Sequence, residues 1–194
     1  MSIYDELDFA PVLITDVFES MSASAAQLGA NSLEPGTTAH PHIGQSENTN
    51  GIARFIAAQT IEPNEGGALT VGVDTQVVFY QPVAFYTTEK VLILRSSRMN
   101  QESALVLKAA LEHQFRKFSW GYKASAGRLA KTRIMVPVTR DSSGAQVVDW
   151  DGMTRFGREL LSETVNQAHR GLEDLITPAN EDGTDEIEDG EVTA

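Results

Sequence analysis

Residues 100–118, NQESALVLKAALEHQFRKF, are where the chain changes its period. Ala104, Leu107, Leu111, Phe115 and Phe118 recur at spacings of three and four, which places them on one face of a helix. Asn100, just ahead of them, has the short polar side chain that accepts from the orphan N–H groups of a first helical turn. The chain before this helix has another rhythm. Residues 52–58 (IARFIAA), 68–73 (ALTVGV), 76–80 and 91–94 are rich in β-branched and aromatic residues and predict strands, with turns at Gly36, Gly44, Gly51, Gly66 and Gly67. Residues 11–20 predict a short strand running into a turn of helix, and residues 23–38 a loop rich in Gly, Pro, Ser and Thr. After the helix, residues 119–127 read as loop, 132–138 as a strand and 141–144 as a turn. Mixed strands with one inserted helix predict an α+β domain over residues 1–148.

A second helix is predicted over residues 151–176 and is closed by Pro178. Met153, Gly157, Leu160, Leu161, Val165, Ala168, Leu172 and Leu175 form its apolar stripe, and the helix is roughly 38 Å long. Leu161, Val165, Ala168, Leu172 and Leu175 alternate spacings of four and three, the seam of a coiled coil. Such a seam is buried either against its own domain or against a helix of another chain. The length of the helix favours the second, so these five residues are the expected partner interface, with a homodimer as the expected assembly. Residues 149–178 thus read as a helical arm. Residues 179–194 are acidic and nearly devoid of apolar residues, and are expected to be disordered.

The net charge of −12 hides a segregation. Residues 1–89 hold one base, Arg54, and eleven acids, whereas residues 90–140 hold eleven bases and two acids, a local charge of +9. Residues 181–194 hold seven acids and no base. The pattern predicts a basic face and a separate acidic tail; the alternative is a merely solvated basic helix face. No run of about 18 apolar residues is present, so no membrane span is expected. The opening MSIYDELDFAP has acids where a secretory leader has bases, and reads as mature sequence. With no cysteine there is no disulfide, thiolate metal site or cysteine nucleophile. This fits a cytoplasmic location.

Catalytic constellations are not found. His40 and His42 flank Pro41 without the Cys, helical His or carboxylate pattern of a metal site and read as a loop before a strand. Gly66-Gly67 is not followed by Gly-Lys-Ser/Thr, no Gly-x-Ser-x-Gly elbow occurs, and His113 and His169 fall on polar helix faces. No catalytic residue, metal ligand or resident cofactor is expected.

The specialised stretch runs from Phe115 to Arg133, FRKFSWGYKASAGRLAKTR. Bases alternate with aromatic and small residues there. Lys and Arg neutralise phosphates, and Ser and Thr donate to phosphate oxygens. Arg116, Lys117, Lys123, Arg128, Lys131 and Arg133 are candidate phosphate ligands, with Ser119 and Tyr122 beside them. Trp120 and Tyr122 can support the loop or stack on an exposed base; Phe115, Phe118 and Trp120 read more readily as core.

Six phrases in order resemble the DNA specificity domain of type I restriction-modification systems, which also occurs in specificity subunits of some type II systems. They are Ile14-Thr-Asp-Val-Phe-Glu19, the run from Pro41 to Ile52 ending in Asn50-Gly51-Ile52, Thr70-Val-Gly72 with Phe79-Tyr-Gln81 and Phe85-Tyr86, Lys117-Phe-Ser-Trp-Gly121, the run from Arg128 to Val138, and Val148-Asp-Trp-Asp-Gly-Met153. The chain departs from the pattern at His42, where Tyr is usual, at Gly44-Gln45, where Thr-Arg is usual, and at Tyr122, where Arg is usual. The resemblance implies a non-catalytic target recognition domain that reads double-stranded DNA in the major groove, where amide and guanidinium groups distinguish base pairs. Gln45, Ser46, Asn48, Asn50 and Gln81 have the chemistry for this; for Asn50-Gly51 a simple turn is the competing role. The resemblance also implies a spacer helix that joins a second recognition domain or docks a methyltransferase subunit, with a restriction subunit as a further candidate partner. The adenine chemistry, with S-adenosylmethionine, then belongs to the methyltransferase. One recognition domain and one helix make the chain a half-subunit. Two alternatives remain: an acidic protein that imitates DNA and binds a restriction complex, and an enzyme such as a fused nuclease.

Overall fold

The computed structural model describes residues 2–119 and 121–176, with the side chains of 174–176 outside that set. Trp120, the side chain of Leu175 and the acidic segment 179–194 therefore lie outside the described residues.

The strands form three small sheets, two of which pack against one helix. The first is built from β1 (Asp8–Leu13), β9 (Arg133–Arg140) and β10 (Gln146–Val148), antiparallel and ordered β1-β9-β10. The second, ordered β2-β8-β5-β6, joins β2 (Ser20–Ala23), β8 (Val91–Arg95), β5 (Ala68–Gly72) and β6 (Val78–Gln81). The third places β3 (His40–Ile43) between antiparallel β4 (Ile52–Ile56) and parallel β7 (Tyr86–Thr87). A single turn, α1 (Ile14–Val17), follows β1, as expected from residues 11–20. Helix α2 (Gln101–Phe115) follows β8, the short α3 (Ala126–Leu129) precedes β9, and α4 (Trp150–Ile176) follows β10.

The main core lies between α2 and the first two sheets. Ala104, Leu107, Leu111 and Phe115, the predicted face of α2, are buried with Leu69, Val71, Leu94, Ile134 and Val136. At about 25 cal/mol per Å2 of apolar surface, each fully buried Leu or Ile contributes about 1.5–3 kcal/mol. Asn100 caps α2 as expected: its Oδ1 accepts from the Ser103 N–H at 2.8 Å, and the Ser103 hydroxyl accepts from the Asn100 N–H at 3.0 Å. Helix α2 ends at Phe115, three residues before the predicted end.

Several elements were not legible. Residues 40–43 form a strand, not a loop. Pro41 is tolerated because β7 covers only His42 and Ile43, so its missing N–H breaks no rung with β7. His42 is 1% exposed, with Nε2 3.1 Å from the Leu28 carbonyl oxygen; it is a packed core residue. Strand β2, Ser-Met-Ser-Ala, is polar and lies at an edge, paired only with β8. Strand β10 follows the predicted turn at 141–144, and helix α3 begins inside the predicted loop 119–127.

The chain divides into two compact units, residues 1–160 and 161–194. The first turns of α4 are part of the first unit. Trp150 and Met153 are buried in the main core, and Asn100 Nδ2 donates to the Thr154 hydroxyl at 3.1 Å. In the second unit, every side chain from Ser162 to Glu173 is exposed, Val165 at 51% and Leu172 at 55%. No described helix is long and apolar enough to cross a membrane.

Candidate nucleic-acid interface

The loop after β3 carries four of the five predicted base readers. Gly44 and Gly51 close it through a Gly44 N–H to Gly51 O bond of 2.8 Å. Within it, Thr49 and Asn50 take left-handed φ of 52° and 55°, unusual outside glycine. The strain is held by local bonds: Thr49 Oγ1 donates to Ile52 O at 2.8 Å, and Asn50 Nδ2 to Tyr80 O at 3.0 Å. Asn50 therefore takes the turn conformation, and its side chain stays on the exposed rim with Ser46 and Asn48.

Gln81 departs from its expected role. It is 2% exposed, and its Nε2 donates to Asn50 O at 3.1 Å and to Thr70 Oγ1 at 3.2 Å. A buried amide already committed to two acceptors does not reach a base edge; Gln81 holds the loop from below. Gln45 is half-buried, with Oε1 accepting the Asp74 N–H at 2.9 Å.

The basic stretch is divided by the fold. Ser119 and Tyr122 face each other in a two-bond bridge, 3.0 and 2.9 Å, that turns the chain back after α2. Tyr122 is 49% exposed, and the Arg128 guanidinium stacks 4.2 Å from its ring centroid, a cation–π pair. Lys117, Tyr122, Ser125, Arg128, Lys131 and Thr132 line an open notch of about 590 Å3. Lys117 Nζ donates to the Thr132 hydroxyl at 3.1 Å. Arg128 also donates to the Lys123 carbonyl at 2.8 Å, which ties the notch to the next cluster. There Lys123 Nζ meets Asp74 Oδ1 at 2.5 Å and Lys90 Nζ meets Asp74 Oδ2 at 3.0 Å. Lys123 foremost, then Lys90, hold the Asp74 carboxyl below the usual carboxylate range.

Arg133 is placed elsewhere. At the start of β9 it donates to Pro11 O at 3.2 Å and lines a different cleft of about 520 Å3, with Asp16, Arg98 and Trp150 among its walls. Other cations of residues 90–140 serve the fold: Arg95 donates to the carbonyls of Gly66 and Glu65, Lys108 pairs with Glu112, and Arg140 closes the turn at Gly144. The expected single basic face is therefore a smaller cluster, and Asp74 and Lys90 are members that sequence reasoning missed. Asp74 stands in an acidic region between two strands, and only folding brings the lysines to it.

No protein-family model matches the chain. The specificity subunit S.BcgI of the type II restriction enzyme BgcI from Heyndrickxia coagulans is 30% identical over 148 residues, covering 74% of this chain and 41% of that protein. Among solved structures, the HsdS subunit from Thermoanaerobacter tengcongensis covers 88% of this chain with a TM-score of 0.54 at 10% identity, and this chain spans 40% of it. The type I restriction-modification S subunit from M. genitalium covers 86% of the chain at 14% identity with a TM-score of 0.49, over 42% of its own length. The mixed sheets with a long C-terminal helix are the fold of the HsdS subunit. The chain spans less than half the length of each of these relatives.

Proposed function

We propose, from the premise that this chain is related in sequence and fold to restriction-modification specificity subunits, that it recognises one half of a double-stranded DNA target. The observation that carries this is the joining of the exposed Ser46, Asn48 and Asn50 rim to the Tyr122–Arg128–Lys131 notch by the Gln45–Asp74–Lys123 bonds. Amide and hydroxyl groups that can read base edges are thus linked through hydrogen bonds to cations that can hold phosphates. In this reading Lys123, Arg128 and Lys131 hold the backbone, Gln45 is fixed at the base of the reading loop, and Arg133, in its separate cleft, takes no direct part.

The chain acts without chemistry of its own. It directs a partner adenine methyltransferase, which uses S-adenosylmethionine, and in the full system an endonuclease. The seam of Leu161, Val165, Ala168, Leu172 and Leu175 joins it to a second copy, which supplies the other half-site. Binding of the full chain to duplex DNA of random sequence across a salt series tests the proposal. The logarithm of affinity should fall linearly with the logarithm of salt, and Arg128→Gln and Lys131→Gln should each flatten that slope by about one. Absence of binding, or a flat salt response, overturns it.

A further inference from the structure

We propose that Asp74 is a positioning residue of this interface, holding Lys90 and Lys123 at fixed points and restraining the protein's grip on DNA of any sequence. The inference rests on the DNA-recognition reading, in which Asp74 is only a link between loop and notch, and gives that residue a role of its own.

An acid is out of place on a surface meant for phosphates, yet the fold is organised around this one. Asp74 joins four loops. Its carboxylate binds Lys90 from the turn before β8 and Lys123 from the loop before α3, and its N–H binds Gln45 from the loop after β3. Its own loop is locked to the Lys90 turn by the Val73 N–H to Lys90 O bond of 3.0 Å. Gln76 and Lys90 both take left-handed φ, 60° and 61°. Non-glycine residues hold that conformation only where the surroundings over-determine it. Packing is close as well: a Cβ on Gly72 would lie 2.6 Å from Thr75 Oγ1 and 3.3 Å from Gln45 Cγ. The Asp74 side chain is only 11% exposed, while those of Lys90 and Lys123 are 54% and 34% exposed. The acid is set back and the ammonium groups stand in front of it.

Two consequences follow. The trio has a net charge of +1 instead of +2, so it attracts duplex DNA less strongly irrespective of sequence. The lysines are also oriented before DNA arrives, so less side-chain freedom is lost on contact. Weak sequence-independent attraction with fixed contact points favours discrimination, since specificity is a difference between affinities.

The test compares the native full chain with Asp74→Asn on random-sequence duplex, by salt-dependent binding and by the sequence bias of the fraction selected from a randomised duplex pool. The variant should bind random duplex about threefold tighter at moderate salt, with a slope steeper by about one, the increment of one further phosphate contact. Its selected pool should be less biased. Adding Lys123→Gln should return the slope to the native value. A slope and selected pool equal to the native ones, with only thermal stability changed, make Asp74 a structural acid and overturn the inference while leaving the DNA reading intact. Failure of the native chain to bind DNA overturns both. If Asp74→Asn does not fold, Lys90→Gln decides, because the DNA reading alone gives Lys90 no contact whereas Asp74 holds it at 3.0 Å: a slope flatter by about one supports the inference, and an unchanged slope overturns it.

Discussion

Gly157 of α4 lies against the backbone of Glu102 at the start of α2, so close that a Cβ on Gly157 would overlap the Glu102 carbonyl. Two opposing effects act on Gly157→Ala. Alanine is the better helix former by about 1 kcal/mol. The clash is with backbone at both ends, so neither side yields by rotating a side chain, and overpacking of this kind costs about 1–3 kcal/mol or more. The steric effect wins, and Gly157→Ala should lower the unfolding free energy by about 1–2 kcal/mol in urea titration. A stabilised variant would show that the two helices separate more readily than this contact implies.

Acid should weaken the fold in part through Asp141. Its carboxyl lies below the usual carboxylate range because of the Ser143 hydroxyl first, then the Ser143 N–H, with the Ala145 and Gly144 N–H groups adding to them against the opposing effect of burial. The Ser143 hydroxyl and N–H donate to Oδ1 at 2.6 and 2.8 Å. A carboxyl depressed in the folded state contributes stability that is present in full above its unfolded pKa, about 3.9, and lost as pH falls through the folded value. Asp141→Asn should therefore show a shallower loss of stability below about pH 5 than the native chain. Glu19, held down by Ser97, and Asp74 titrate in the same direction, so some acid sensitivity remains in the variant. Parallel stability–pH curves for the two proteins would remove Asp141 from the account.

Gln81 and Asn48 should separate structure from recognition. Truncating Gln81 to Ala leaves the Asn50 carbonyl and the Thr70 hydroxyl without their amide donor, at a cost of about 1–3 kcal/mol, and loosens the loop that carries Ser46, Asn48 and Asn50. Asn48 is exposed on that loop, so Asn48→Ala should change stability by less than about 0.5 kcal/mol while altering the sequence bias of selected DNA. Equal thermal shifts in the two variants would contradict the division of roles.

The elements that could be read from the sequence are those whose pattern is set by their own burial. Helix α2 and its Asn100 cap, and α4 to within a residue, follow from apolar spacing on a single face. Strand β2 could not be read that way, because its four residues face mostly outward and exist as a strand only through β8. Pro41 and the polarity of His42 argued against β3, and the enclosing β4 and β7 override both. The site divides similarly. Lys123, Arg128 and Tyr122 were visible as a basic and aromatic run, whereas the burial of Gln81 and the removal of Arg133 to another cleft depend on how the sheets are arranged. Asp74 gave no local signal, since its partners lie 16 and 49 positions away in the chain.

The seam on α4 gives the last prediction. From Ser162 to Glu173 the described helix has no buried side chain, yet Val165 and Leu172 present large apolar groups on the spacing of a coiled-coil seam. A helix segment of this length gains most of its stability from tertiary or quaternary packing rather than from propensity. Val165→Asp and Leu172→Asp should each dissociate the assembly, read as a halved mass in sedimentation velocity. Unfolding of the first unit should change by less than about 0.5 kcal/mol, because neither residue belongs to its core. If the native chain already sediments as a monomer at every concentration, the seam does not join copies, and a methyltransferase subunit becomes its expected occupant. An oligomer that survives both substitutions would place the contact away from the seam altogether.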